Sequence, residues 1–270
     1  MLKNRNIVIM ATAAALAATI GYHISDAGIV MSLSGYCCSL GIYSPIIENL
    51  FTVGELIRFV GRMLPGFLFQ AVAGIAYYKY YCTSSVYVFS RVQDKTKWYL
   101  KSMAGVLTDS AIYQALFSAV SLLSLVISGK VTIDAAGTLI YLYYIIIWVL
   151  WNFLAAVLMN IIAIKAGSAV AFICTAGIQF ILLIVLLPLG RIEEVGTVSL
   201  LARLDPIIVL MPGQHRSFLF PYINNASLEG IYAEISILIV MFLTAVTLAA
   251  GCRIVESHDL LAADAESNGV

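Results

Sequence analysis

The sequence predicts an all-α membrane protein with six transmembrane helices and both termini in the cytoplasm. Three observations carry this. Of 270 residues, 61% are hydrophobic and 11% charged, whereas a soluble domain has about a quarter charged and nearer half apolar. Apolar windows recur at the length a bilayer demands, about 20 residues for a hydrocarbon core about 30 Å thick. The basic residues gather in alternate connections, as the retention of Lys and Arg in the cytoplasm requires.

Taken in order, the first window, 6–25, contains no charge. The second, 63–84, carries Lys79, which can snorkel its amine to an interface. The third, 103–128, carries Asp109 near its beginning, and the fourth, 136–162, lies between Asp134 and Lys165. The fifth, 167–189, and the sixth, 233–252, are free of charge apart from Glu234 at the start of the last. Residues 28–47 are also uncharged, but their Gly, Ser and Pro45 make a weak helix, and a seventh crossing would part the basic amino terminus from the basic segment at 91–101. A cleaved leader is the competing reading of residues 1–17.

Fifteen Lys and Arg balance fifteen Asp and Glu, so no global excess points to nucleic acid. Six spans with the amino terminus inside put Lys3, Arg5, Lys79, Arg91, Lys95, Lys97, Lys101, Lys165 and Arg253 on the cytoplasmic side. Arg58, Arg62, Lys130, Arg191, Arg203 and Arg216 fall outside, all but Lys130 spread over two longer segments, 26–62 and 190–232. In the first of these, residues 47–59 approximate helical spacing and predict an interfacial helix leading into span two. The second is punctuated by Pro206, Pro212 and Pro221, which favours short helices and turns over another span. The acidic tail from Arg253 to Val270 reads as frayed.

Catalytic chemistry has little to stand on. His23, His215 and His258 fall outside, outside and inside on this topology and cannot converge, and neither HExxH nor GxxxxGK[ST] occurs. The chain is therefore expected not to be an enzyme, with no cofactor or metal of its own. Cys37 and Cys38 are adjacent, and a vicinal bridge is strained, so both are expected as thiols. Inside the spans, Asp109, Gln114, Asn152, Asn160 and Gln179 are the polar residues that could line a path; the competing account is hydrogen bonding between helices.

The cytoplasmic connection 86–102 concentrates four basic residues, Arg91, Lys95, Lys97 and Lys101, around the aromatic pair Trp98 and Tyr99. Helix formers dominate from Gln93 to Lys101, which predicts a short helix lying along the inner membrane surface before span three begins. Simple anchoring to anionic lipid would use the same residues.

With its six spans, "FSRVQDKTKWYLK" between spans two and three, and a long outer connection containing "LDPIIVLMPGQH" before the last span, the chain resembles the permease subunits of type-2, exporter-like ABC transporters. The likeness covers the whole chain as an architecture, through a short and degenerate motif. It departs from several exporters of that class in having little amphipathic material ahead of span one. The resemblance implies that Arg91, Lys95, Lys97, Trp98 and Lys101 form a coupling helix that docks on a separately encoded ATPase. It also implies that ATP and Mg are bound by that ATPase dimer, and that a second permease, identical or related, completes the pathway. Its further implications are a place in the bacterial cytoplasmic membrane and export or removal of peptides, lipids or drug-like molecules, with peptide export or immunity as one setting. The reading from another class is a non-transporting membrane scaffold or accessory protein, and a secondary transporter or intramembrane enzyme stands behind both.

Overall fold

The computed structural model describes residues 4–25, 30–39, 61, 63–74, 78, 94–189, 210 and 232–257. The described residues are almost entirely helical. Helix α1 spans Asn4–Ser25, α2 Leu33–Ser39, α3 Met63–Gly74, α4 Lys95–Ile127, α5 Ala135–Ala166, α6 Ser168–Leu189 and α7 Ala233–Ser257. Among these, α4, α5 and α7 are long and apolar enough to cross a membrane, and Asn6–Ala18, Met63–Gly74 and Ser168–Leu182 form shorter apolar helical stretches. This is a helical membrane protein.

Its surface confirms the solvent it was built for. Ile173, Ile181, Leu238 and Phe242 are all exposed by more than 60%, while Ser110, Ser118, Gln114, Asn152 and Asn160 are buried. Lipid is as apolar as a core, so burial is not driven by hydrophobicity alone, and polar groups turn inward to find partners that hydrocarbon cannot supply.

Helix α5 is the hub. Helices α4, α6 and α7 all pack on it, and α2 and the end of α3 reach it as well. Helix α1 lies on α4, where Ile7, Ala11 and Ala15 meet Phe69, Ala73, Tyr113 and Phe117. Alanine at these positions lets the helix approach three large rings closely.

Chain direction follows from the loops. Asp94 caps α4 by accepting from the Lys97 N–H at 2.9 Å. At its far end, Ser128 and Gly129, with φ +70°, turn the chain, and glycine enters that left-handed conformation without a Cβ penalty. Val131 and Thr132 then form strand β2, which pairs in parallel with β1, Met31–Ser32. Because β1 follows α1 closely, α1 and α4 finish at the same end of the bundle. Gly167, with φ +80°, turns α5 directly into α6, so α6 starts where α4 starts.

The short sheet is held by a polar knot. Asp134 caps α5 through the Gly137 N–H at 3.0 Å and reaches across to the Ser34 N–H of α2 at 3.0 Å. Burial raises the carboxyl's pKa, but the hydrogen bonds from Ser34, Gly137 and Leu33 outweigh it and leave it below the usual carboxylate range. Gly137 is what permits the contact, since a Cβ there would collide with the backbone of Ser34 and Leu33. Cys37 points at the Gly137 carbonyl as a reduced thiol.

Two expectations change. The separate surface helix over 93–101 is not a separate element: Lys95–Lys101 is the first part of α4, which runs unbroken to Ile127. Asp94 supplies a cap at its start and nothing after it breaks the hydrogen-bond ladder, so the basic turns continue into the apolar helix. Span two does not continue as a regular α-helix either, because α3 widens into a π-helical turn over Gln70–Gly74. The interfacial helix at 47–59, most of the outer segment 190–232, the tail beyond Ser257, and Lys3, Lys79 and Arg91 lie outside the described residues.

Candidate functional site

The interior of the bundle holds a buried polar layer near the middle of α4, α5 and α6, closed from the side by α3. Each helix contributes from a face that its packing turns inward. From α3 comes Gln70, 1% exposed, at the start of the π-helical turn. From α5 come Trp148, Trp151 and Asn152, and from α6 come Thr175 and Gln179, all buried.

Gln70 and Gln179 exchange two hydrogen bonds, Nε2 of Gln179 donating to Oε1 of Gln70 at 2.8 Å and Nε2 of Gln70 donating back at 3.3 Å. Trp151 Nε1 donates to Gln179 Oε1 at 2.9 Å, and Gln179 Nε2 also donates to the Thr175 carbonyl at 3.2 Å. The Gln179 amide thereby uses both donors and both acceptor positions. Phe67 and Phe180 stack at 5.2 Å beside this pair and seal it. A π turn relaxes the helical register by one residue, and here it begins at the glutamine that meets α6.

Toward the start of α3 the layer is different. Gly66 sits against α5 so closely that a Cβ would stand 2.7 Å from Trp148 Cζ3 and 3.2 Å from Asn152 Oδ1. Tyr113 of α4 fixes this end by donating to the Pro65 carbonyl at 2.7 Å, since a backbone carbonyl has two lone pairs and can accept from a side chain as well as from its own helix. Asn152 is wholly buried, yet among the described residues neither its oxygen nor its nitrogen has a hydrogen-bond partner, and the Trp148 indole N–H has none either. Leaving such groups unpaired costs about 1–3 kcal/mol each.

The polar residues picked out from sequence therefore divide. Gln179 joins α6 to α3 and α5, and Asn160 joins α5 to Tyr78, accepting from its backbone N–H at 3.1 Å while donating to the Ala156 carbonyl at 2.7 Å. Gln114 stays on its own helix, donating to Ser118 Oγ at 3.2 Å. Asp109 is half-buried on α4 and is the one charged side chain among the described residues that lies away from the helix ends. Asn152 alone of the five is buried and unpartnered. The sequence reading passed over Gln70, Trp148, Trp151 and Gly66; Gln70 carried a signal, as the one strongly polar residue between Met63 and Ala76, whereas a glycine and two tryptophans in an apolar run carry none.

At the end where α4 begins, Lys97 and Lys101 are exposed and Lys95 and Trp98 are half-buried. Trp98 packs beside a core of Tyr99, Met103, Ile161, Ile164 and Val255, and Thr96 hydrogen-bonds Glu256 of α7. Exposed Lys165 and Arg253 belong to the same end, so the basic residues of three helices converge there, although the sequence separates them widely. Arg91 lies outside the described residues. No group of His, Cys, Asp and Glu that could hold a metal occurs among the described residues.

Compared with protein families, curated proteins and solved structures, the chain finds no match.

Proposed function

We propose that this protein is the permease subunit of an ABC transporter, crossing the bacterial cytoplasmic membrane six times with both termini in the cytoplasm. A separate ATPase dimer binding ATP and Mg would drive it, and a second permease copy or a related subunit would complete the pathway, for peptide, lipid or drug-like substrates. The observation that supports this best is the continuity of α4. Its exposed basic start, Lys97 and Lys101 beside Trp98, and its buried polar face, Ser110 and Gln114, belong to one unbroken helix. A load applied at the basic end is carried along a rigid rod into the interior, which is what coupling to an external motor requires.

The test is co-purification. Replacing Arg91, Lys97 and Trp98 together with Ala should reduce recovery of a P-loop ATPase with the membrane-extracted protein while leaving its membrane abundance unchanged. Equal ATPase recovery from wild type and variant would reject the docking assignment. A reading frame for such an ATPase beside this one is the cheaper check.

A second reading, a non-transporting membrane scaffold, is favoured by Gln179 and Asn160, whose hydrogen bonds tie helices together in place of lining a path. It expects no ATPase to co-purify with either form.

A further inference from the structure

We propose that Asn152, with Trp148 beside it, is a binding site for a neutral amide group, occluded by α3 in this conformation. The proposal rests on the permease reading only for its biological setting, in which the amide belongs to a peptide-like substrate.

The argument starts from what Asn152 lacks. Its amide is wholly buried, and among the described residues both polar atoms are unpartnered, as is the Trp148 indole N–H on the preceding turn of the same helix. A structural asparagine in this position would be expected to do what Asn160 does two turns on, which is to use both atoms on neighbouring backbone. Buried polar groups left without partners are costly, and the explanation sought for them is a functional one.

The ligand's chemistry follows from the groups on offer. Asn152 presents two donors and an acceptor, and Trp148 adds a donor. None of these carries charge, and Lys or carboxylate partners are missing from this part of the layer among the described residues, so an ion would enter without compensation. An amide matches by offering a donor and an acceptor together. The same bundle already contains that match, because Gln70 and Gln179 satisfy one another as an amide pair across α3 and α6.

Access runs through α3. Gly66 is the segment in direct contact with Trp148 and Asn152, and it approaches only because it has no side chain. The π-helical turn one turn further along α3 is a place where register can change without breaking the helix.

The experiment uses the full-length protein in lipid nanodiscs, in a Trp98→Phe background that leaves the two tryptophans of the layer. Octanamide is titrated while tryptophan emission and thermal stability are recorded, and methyl octanoate, which has the same chain but no N–H, is the comparison. Octanamide should bind saturably, at least about tenfold more tightly than the ester, and Asn152→Leu should abolish that preference while melting no lower than the parent. Thr244→Val, a buried polar change on α7 away from the layer, should retain it. Partition of both probes without saturation, equal affinity for amide and ester, or an unchanged preference in Asn152→Leu would each overturn the site. ATPase co-purification is read separately, so loss of one result leaves the other standing.

Discussion

At the scale of single residues, Asp134 and Gly137 show how little chemistry is needed to fix a loop. One carboxylate closes the start of α5 and holds α2, and one glycine makes room for the crossing. Asp134→Ala should lower stability by about 1–3 kcal/mol, the sum of a helix cap and a cross-segment bond, measured by thermal melting in detergent. The pH dependence has a definite sign. A carboxyl whose folded pKa lies below its unfolded value, about 3.9, stabilises the protein above that value and stops doing so as pH falls through the folded pKa. The difference between wild type and Asp134→Ala should therefore be constant near neutrality and shrink below about pH 4. Gly137→Val should be worse than Asp134→Ala, because it pushes α2 off α5 as well as disturbing the cap; an equal or milder effect would mean that the packing here is loose.

At the scale of helices, the bundle is joined by amide and indole hydrogen bonds as well as by close packing. In membranes such bonds contribute about 0.6 kcal/mol on average and up to about 1.7. Gln179 serves three partners at once, so Gln179→Leu should destabilise by more than Gln70→Leu, since it strands Gln70 and the Trp151 indole together. The double variant should cost less than the two single changes added, and a double-mutant cycle of unfolding in mixed micelles measures the coupling. Strict additivity would show that the two glutamines do not interact. The continuity of α4 belongs to this scale too. Its first turns read as a separate surface helix because their composition is basic and aromatic, but helices end where capping or a breaker ends them, and no such signal stands between Lys95 and Ile127.

At the scale of the whole molecule, the basic ends of α4, α5 and α7 come together. With Lys and Arg retained in the cytoplasm, a cysteine introduced by Lys97→Cys in a background with the native cysteines replaced should be labelled by an impermeant reagent only in inside-out vesicles. Labelling from the outer face would overturn the orientation proposed above. The same experiment at Lys130, next to the β1–β2 pair, should give the opposite result, since it lies at the other end of α4.

The amino-acid sequence by itself determined that the protein is helical and lives in a membrane, because charge-free windows of bilayer length leave no other way to satisfy the backbone. It also marked Gln179, Asn160 and Asn152 as unusual by their polarity in apolar surroundings. What those residues do was decided by tertiary structure alone. Gln70 finds Gln179 across more than a hundred residues, and Asn152 finds no hydrogen-bond partner among the described residues. The physical reason is that composition fixes which groups must leave the lipid, while the directions of α3, α5 and α6, and a glycine that lets two of them touch, fix which partners they meet.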